Sequence, residues 1–574
     1  MHRATTLLSH VGRPLVTHEV VNQVTVPAGY NAFRSHQRLV DAVTTLTRDN
    51  GTPATVADFS RLDHYGAIVG HPQWHETARL ANEFIPVFTP FDRQGRRIDS
   101  VSFHDAYHRL MAVAIDHSVP SLPHKEPSRQ VVRAAMSLMH YQLECGTGCP
   151  LTMTYAAVPV LRANNQDKCW DEWIDKLTSR VYDSADVHIS LKKGVTCGMS
   201  MTEKQGGSDV RSNTTLATPA PDLGQDVFTL VGHKWFTSAP MCDAFLALAQ
   251  VEPNGAAGMK GGLTCFLVPR WIRPGERNVG LRFQRLKNKL GDKSNASSEV
   301  EYSGAYAVRV GPVGSGVKTI IEMVNHTRLD CMLGSAGLMQ AGLVWAQNHA
   351  TQRSAFGGPL IAKPLMRNVL CDLALECEGH TSLSLRIAAS FDRPAEESFK
   401  RIATAIGKYY ICKRAPSFAY EALECLGGNG YVEDFPLSRW FRQSPLNAVW
   451  EGSGNVIVLD VFRALAREPD ALPALVAEVA TARDARLTAI LDECIAHLKS
   501  ADAEMRGRYV VERLALLLEA CAIKRCGGPP MIYDAFVASR LIRTPGQGSL
   551  LFGTLDPALV SNALLERNVI VLVA

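Results

Sequence analysis

The stretch Met201-Thr202-Glu203-Lys204-Gln205-Gly206-Gly207-Ser208-Asp209-Val210 follows the apolar run Val195 to Met199. It sets two adjacent glycines between hydroxyl and carboxylate side chains. Glycine lets a ligand approach the backbone closely, and the Thr and Ser hydroxyls add donors along that approach. A ligand with phosphates or a polar ring edge suits such a loop. The pattern is not a dinucleotide fingerprint, because Gly-x-Gly-x-x-Gly is absent, nor a P-loop, because no Gly-Lys-Ser/Thr follows. The plain alternative is a tight surface turn, since glycine pairs mark turns of many kinds.

Outward from this loop the chain changes character twice. Short runs such as Val227–Val231, Ala244–Ala249 and Thr264–Val268 are separated by Gly, Pro and Asn turns, and they predict a β domain over 196–310. Before it, Ala106, Leu110, Met111, Val113 and Ala114 keep helical spacing and Val131 to Leu143 repeats it, which predicts a helical N-terminal domain over 1–195. After it, helical periodicity returns over 311–466, with the proline-free stretch Met332 to Ala350 reading as a packed bundle helix. A break at Arg467-Glu468-Pro469-Asp470 opens a tail, 467–574, that starts helical and turns Gly/Pro-rich at Gly527-Gly528-Pro529-Pro530 and Thr544-Pro545-Gly546.

Composition bounds the rest. A chain of 574 residues is too long for one core. Apolar content of 46%, charged content of 20% and a net charge of +4 give no strong pull toward nucleic acid or anionic membrane. No window approaches the apolar length of a membrane span. The fourteen cysteines lack metal spacing and predict buried free thiols in a reducing compartment, with no metal site. Residues 1–16 carry His2, Arg3 and Arg13 and no acid, which fits either a mitochondrial leader or a frayed basic terminus. The expected location is soluble and intracellular: cytoplasmic, or the mitochondrial matrix if the leader reading holds.

Three further clusters bear on chemistry: Gly232-His233-Lys234-Trp235-Phe236-Thr237-Ser238, Glu421 to Tyr431 with its Gly427-Gly428 pair, and Trp450-Glu451-Gly452-Ser453-Gly454-Asn455. Singly, each has an ordinary reading: a core aromatic, a glycine helix cap, an acid at a helix N-terminus. Together and in this order, they resemble the acyl-CoA dehydrogenase flavoprotein family over roughly residues 100 to 465. With Lys289-Leu290-Gly291-Asp292-Lys293-Ser294-Asn295-Ala296-Ser297, the wording is closest to the family's AidB-like, alkylation-response branch, and the tail fits that branch too.

The resemblance implies an α+β, mainly α fold: an N-terminal helical domain, a middle β-barrel-like domain, a C-terminal helical bundle, and here the appended tail. It implies FAD between the β domain and the bundle, an acyl-CoA substrate, a homotetramer and an electron-transfer flavoprotein as partner. Met201, Thr202 and Gly207 then edge the flavin, and Ser208 stands beside flavin and pantetheine. Trp235 walls the ring next to Phe236. Thr237 meets flavin N5 beside Ser238, where a donor stabilises arriving hydride charge. Gly427 and Gly428, and the turn Trp450, Gly452, Ser453 and Asn455, complete the cofactor set. Arg353 and Phe356 match a motif that reaches the neighbouring subunit's cofactor phosphates. Glu424 and Pro364 stand where many members carry glutamine, a departure on the adenine side.

The family reaction takes a proton from the α carbon of a thioester and a hydride from the β carbon. Glu451 matches the base of the larger subgroup, and a carboxylate in a dry pocket has its pKa raised toward the working range. A smaller subgroup carries its base directly before the arginine of Asn325-His326-Thr327-Arg328, and Thr327 cannot serve there. Arg328 is left as a substrate-facing or supporting group. Trp450 replaces the usual tyrosine. Two other functions stay open: a DNA-binding flavoprotein with weak turnover, and a non-catalytic acyl-CoA binding protein. From Arg467 onward twelve Lys/Arg face thirteen Asp/Glu, and Arg506, Arg508, Arg513, Lys524 and Arg525 form only a modest patch, so the tail's charge does not favour DNA.

Overall fold

Strands run from Cys197 to Val310 and are flanked on both sides by helices. The protein is described by a computed structural model over residues 17–253, 261–542 and 551–573. The leader reading of residues 1–16 and the Thr544-Pro545-Gly546 turn lie outside the described residues. The fold is mainly helical with a middle β-barrel, the architecture expected from the sequence.

The barrel is a seven-stranded sheet. Its strands are β3 (Cys197–Ser200), β4 (Leu216–Pro219), β5 (Val227–Ser238), β6 (Ala244–Val251), β7 (Gly262–Pro269), β8 (Leu281–Leu286) and β9 (Ser297–Val310). The order is β8-β9-β5-β4-β6-β3, and β7 pairs with both β6 and β9, which closes the sheet on itself. β6 (Ala-Phe-Leu-Ala-Leu-Ala-Gln-Val) is buried on both faces, as expected of a central strand covered by the barrel interior and by helices. The antiparallel hairpin of β1 (Val87–Phe91) and β2 (Arg97–Ser102) interrupts the N-terminal helices, an element that the helical periodicity there does not signal.

The helices that matter for the site are α1 (Gln37–Asp49), α2 (Val56–Val69), α3 (Gln130–Leu143), α4 (Gly148–Ala163), α5 (Gly316–Gln352), α6 (Pro364–Ser390), α7 (Glu397–Cys425), α8 (Gly454–Arg467) and, in the tail, α9 (Ala503–Arg525). α5 is 37 residues long and buried all round from Met323 to Gln347, so it forms the axis of the bundle. It approaches α3 backbone to backbone: a Cβ on Gly337 would lie 2.3 Å from the Leu138 carbonyl oxygen. The buried pair Arg133–Asp330 joins the same two helices, with Nη2 2.6 Å from Oδ2.

The tail shares its core with the bundle, since Leu514, Leu517, Phe536 and Leu564 belong to the same buried cluster as Leu333 and Ile406. Glu378 on α6 meets Arg38 of α1 and Arg567 of the tail, and Arg386 on α6 makes a bidentate pair with Glu478. Thirteen of the fourteen cysteines are buried and all are free thiols, as their spacing suggested. No helix among the described residues is long and apolar enough to cross a membrane.

Candidate active site

Glu451 occupies the turn just before α8, and its backbone is left-handed, with φ at +58°. For a residue with a Cβ that conformation costs about 1–3 kcal/mol and persists only when its surroundings enforce it. Here three successive carbonyls are held by two buried cations. Lys408 Nζ donates to the Trp450 oxygen at 2.7 Å and to the Gly452 oxygen at 2.5 Å, and Arg328 Nε donates to the Glu451 oxygen at 3.1 Å. Arg328 is fixed in turn by Asp460 at 2.8 Å, which also accepts from Arg401 at 2.8 Å. Gly452, at φ +105°, has no room for a side chain, because a Cβ would come 2.9 Å from Ile457.

The Glu451 carboxylate accepts one hydrogen bond, from Thr327 Oγ1 at 2.8 Å. Burial pushes its pKa above the ordinary carboxylate value, while Thr327, Arg328 and Lys408 pull against that rise. Burial also lowers the Lys408 ammonium. The turn therefore holds a carboxylate that gains a proton more readily than an exposed one.

A second group of expected site residues comes from the barrel. Trp235 N–H donates to the Thr202 carbonyl at 2.7 Å and Lys204 N–H to His233 Nε2 at 3.0 Å, so the Met201–Val210 loop is stitched to β5. Its turn is closed by paired backbone bonds between Glu203 and Gly206. A Cβ on Gly207 would come 2.9 Å from the Thr202 side chain. Glu203 is buried against Lys234 at 2.7 Å and also takes the Thr215 hydroxyl at 2.6 Å. Burial alone would raise the Glu203 carboxyl, but Lys234 and the threonines outweigh it and hold it down at about 2.

β5 carries a bulge at this point. Ser298 pairs with Thr237 and Val300 with Lys234, so three steps of β5 match two of β9. The extra residue lets Lys234 and Thr237 both face inward although they are three apart. Trp235 is half-buried and Phe236 exposed. Lys287, held by Glu299 at 2.7 Å, places Nζ 3.0 Å from the Trp235 ring centroid and so covers one face of the indole. The Thr237 side chain is buried and its hydroxyl hydrogen-bonds Ser200, while Ser238 Oγ lies 3.1 Å from Ser297 Oγ. Trp450 and Met201 both pack on the barrel core, so the glutamate turn and the glycine loop each border the barrel. The Trp450 indole N–H is fixed by Asn447 at 2.8 Å.

Other expected site residues lie elsewhere in the single chain. Arg353 and Phe356 sit on the small hairpin Ser354–Pro359 beyond α5, with Phe356 95% exposed. Gly427, at φ +60°, and Gly428 follow α7 in open space, where a Cβ would meet nothing. Ser208 is exposed, Ser453 half-buried, and Asn455 accepts from Arg508 of the tail at 2.8 Å. Arg328 stands behind the glutamate turn, engaged by Glu451 and Asp460. The other cations of the expected basic patch are also engaged within the chain: Arg506 with Asp502, Arg513 with the Leu541 carbonyl, Lys524 with the Ala482 carbonyl, and Arg525 with Asp49.

Sequence reasoning missed Thr327 as a partner of Glu451, and also Lys408, Asp460 and Lys287. Only Asp460 left a signal: it is a charge between Ile457 and Val461 on the buried face of α8. A cleft of about 800 Å³ opens between Arg211, Leu263 and Lys318 on one side and Arg401, Arg463 and Arg467 on the other, with Glu468 as its one carboxylate. Arg401 belongs both to this cleft and to the Asp460–Arg328–Glu451 chain.

Comparison with known proteins assigns the class. Three family models match successive parts of the chain: the adaptive response protein AidB N-terminal domain over residues 22–184, the acyl-CoA dehydrogenase middle domain over 198–305, and the acyl-CoA dehydrogenase C-terminal domain over 314–466. The chain belongs to the acyl-CoA dehydrogenase family of oxidoreductases, whose members are FAD flavoproteins. Within it the chain is of the AidB-like kind. It is 41% identical over 524 residues to AidB of Escherichia coli (strain K12), a protein whose dehydrogenase name is provisional; the match covers 90% of this chain and 93% of that one. Acyl-CoA dehydrogenase family member 11 of Caenorhabditis elegans is 30% identical over 456 residues, 76% of this chain and 71% of that one. The solved structure of C. elegans ACDH-11 in complex with C11-CoA superposes with a TM-score of 0.76 at 25% identity, covering 96% of this chain and 93% of that one. Bd2924 in its apo form gives 0.79 at 27% identity, covering 88% and 99%.

Proposed function

We propose that the protein is an FAD-dependent acyl-CoA dehydrogenase that removes a proton and a hydride from adjacent carbons of an acyl-CoA thioester, with Glu451 as the base. The observation that carries this reading is the Glu451 turn. A strained, partly dry carboxylate, held by cations on three consecutive carbonyls, is costly as mere structure and suited to proton abstraction.

The residues of the glycine loop, β5 and the glutamate turn suit a flavin by what they offer. Trp235 supplies a flat, half-buried ring with Lys287 against one face. Thr202 and Ser453 supply hydroxyls, and glycines 206 and 207 keep the loop backbone within reach of a ring edge. The flavin, when bound, supplies the hydride acceptor. The chain's part is to orient the thioester, exclude water and take the α proton on a Glu451 carboxylate oxygen, while Thr327 steadies the other state of that carboxylate. The cation-lined cleft, with five basic side chains to one acid, fits the phosphate-bearing end of a CoA ester. The C11-CoA complex of the C. elegans relative supports a thioester ligand. Arg353 and the 95% exposed Phe356 fit a contact with a neighbouring copy's cofactor in a homotetramer.

The test is flavin bleaching. Acyl-CoAs of graded length are mixed anaerobically with FAD-loaded protein. Glu451→Gln is expected to slow bleaching by about 10²–10⁴-fold while FAD stays bound. Bleaching that is unchanged in Glu451→Gln would remove the glutamate from the role, and thioester binding without any bleaching in wild type would make the protein a binder.

A further inference from the structure

The Arg353 hairpin does not stand alone. An extended N-terminal arm runs beside it, and Asn22 grips it by both halves of its amide. Nδ2 donates to the Ser354 carbonyl at 2.8 Å, and Oδ1 accepts from the Ser354 N–H at 2.9 Å, so one side chain imitates a strand pair. The Asn22 carbonyl accepts directly from Arg353 Nη1. Three residues on, Thr25 repeats the attachment to the end of α5: its N–H donates to Gln352 Oε1 at 3.0 Å and its carbonyl accepts from Asn348 Nδ2 at 2.8 Å. Asn22 itself is left-handed, at φ +55°, a conformation that asparagine tolerates better than most residues and that turns its amide onto the hairpin.

The arm is anchored at its far end as well. Asn31 N–H donates to the Val571 carbonyl at 2.8 Å, Val573 N–H to the Gly29 carbonyl at 2.8 Å, and Tyr30 bridges Leu572. It is thus a strap, fastened to the C-terminal residues at one end and to the hairpin at the other. The hairpin has little else to hold it. It has two short pairs, Ser354 with Pro359 and Ala355 with Gly358, a Leu360 N–H to Arg353 carbonyl bond at 2.8 Å, and Lys363 Nζ on the Phe356 carbonyl at 2.7 Å. Among the described residues no carboxylate pairs with Arg353, so its guanidinium is aimed by a neutral carbonyl and keeps its charge for an anion outside this chain.

We infer that Asn22 is a positioning residue: through Ser354 and Arg353 it sets the hairpin for a contact between Arg353 and an anionic group, the cofactor phosphates of a neighbouring copy. This rests on the reading above that Arg353 serves a partner's FAD. The strap is the new element, and it ties cofactor retention to a segment outside the bundle and the barrel.

The test uses the full-length protein. Apoprotein is titrated with FAD, and hydrogen exchange is followed over residues 353–360. Asn22→Gly keeps the left-handed backbone and removes only the amide. It is expected to weaken FAD about tenfold, the scale of two lost hydrogen bonds, and to speed exchange at Ser354. Arg353→Gln is expected to weaken FAD at least as much, and adding Asn22→Gly to it should change FAD affinity no further. Asn22→Gln, which keeps the amide on a longer stem, should recover part of the loss. If Arg353→Gln leaves FAD affinity intact, the parent reading of Arg353 fails and the inference with it. If Arg353→Gln weakens FAD and Asn22→Gly does not, the strap alone is overturned. Equal losses from Asn22→Gly in both backgrounds would mean that it acts on stability and not through the arginine, and would also overturn the inference.

Discussion

Thr327, set aside as a base itself, still holds the carboxylate proposed for that role. Its hydroxyl donates to Glu451 at 2.8 Å, and a hydrogen bond to the ionised form lowers a carboxylate's pKa. Thr327→Val keeps the shape and removes the donor. The acid limb of the kcat/KM profile for flavin reduction should then move to higher pH, with rates at pH 6 falling about three- to tenfold and the alkaline plateau unchanged. A uniform loss across pH would mean that the threonine shapes the pocket instead. Glu451 was legible because its neighbours form a recognisable run. Thr327, 124 positions earlier, was legible only as an absence of acid, since sequence does not say which helix face lies under which turn. Lys408 is a harder case: Ile406-Gly407-Lys408-Tyr409-Tyr410 reads as a helix with one solvated charge, and only the fold brings the carbonyls of Trp450 and Gly452 to its ammonium.

At the scale of elements, β5 was visible as an apolar run, but its bulge was not. Period-2 alternation puts Lys234 and Thr237 on opposite faces, and one inserted residue puts both inside. The buried Glu203–Lys234 pair depends on that insertion, and it pins the glycine loop to the strand that presents Trp235. Lys234→Met alone should destabilise the protein by about 3–5 kcal/mol, because it strands a buried carboxylate. Glu203→Gln added to it keeps the acceptor for Thr214 and Thr215 without the charge and should restore most of that loss in urea unfolding. Recovery of less than half would locate the cost in lost packing around the lysine stem. The β1–β2 hairpin was missed for a similar reason, as its alternation of half-buried and exposed residues is too weak to stand out among helices.

Across the whole molecule, α6 is where bundle and tail meet. Asp372, Glu376 and His380 recur every four residues along α6 and face the tail, Asp372 and Glu376 against Arg540 and His380 against Glu519. Burial would lower the His380 imidazole, but Glu519 and Glu376 outweigh it and push it up to about 9; Arg414, Arg540 and the ring of Tyr410 complete the surroundings. The folded value lies above the unfolded value near 6.5, so this contribution is fully present below pH 6.5 and is lost as pH rises through 9. Scanning calorimetry should find a fall in Tm of about 2 °C between pH 7 and 10 that is absent in His380→Asn. An identical fall in both proteins would assign the alkaline loss to other groups.

The charges of α6 also bear on how such a chain can change over generations. A bundle that acquires a covering segment can exchange surface acids for buried ones one at a time, each matched by a new cation above it. Deleting the segment would strip Asp372 of Arg540 and uncover the apolar core that Leu514, Leu517 and Phe536 share, while Glu376 would keep Arg414, Glu378 would keep Arg38 and Arg386 would keep Glu396. Removing the tail would therefore cost the bundle chiefly the cover over its apolar core.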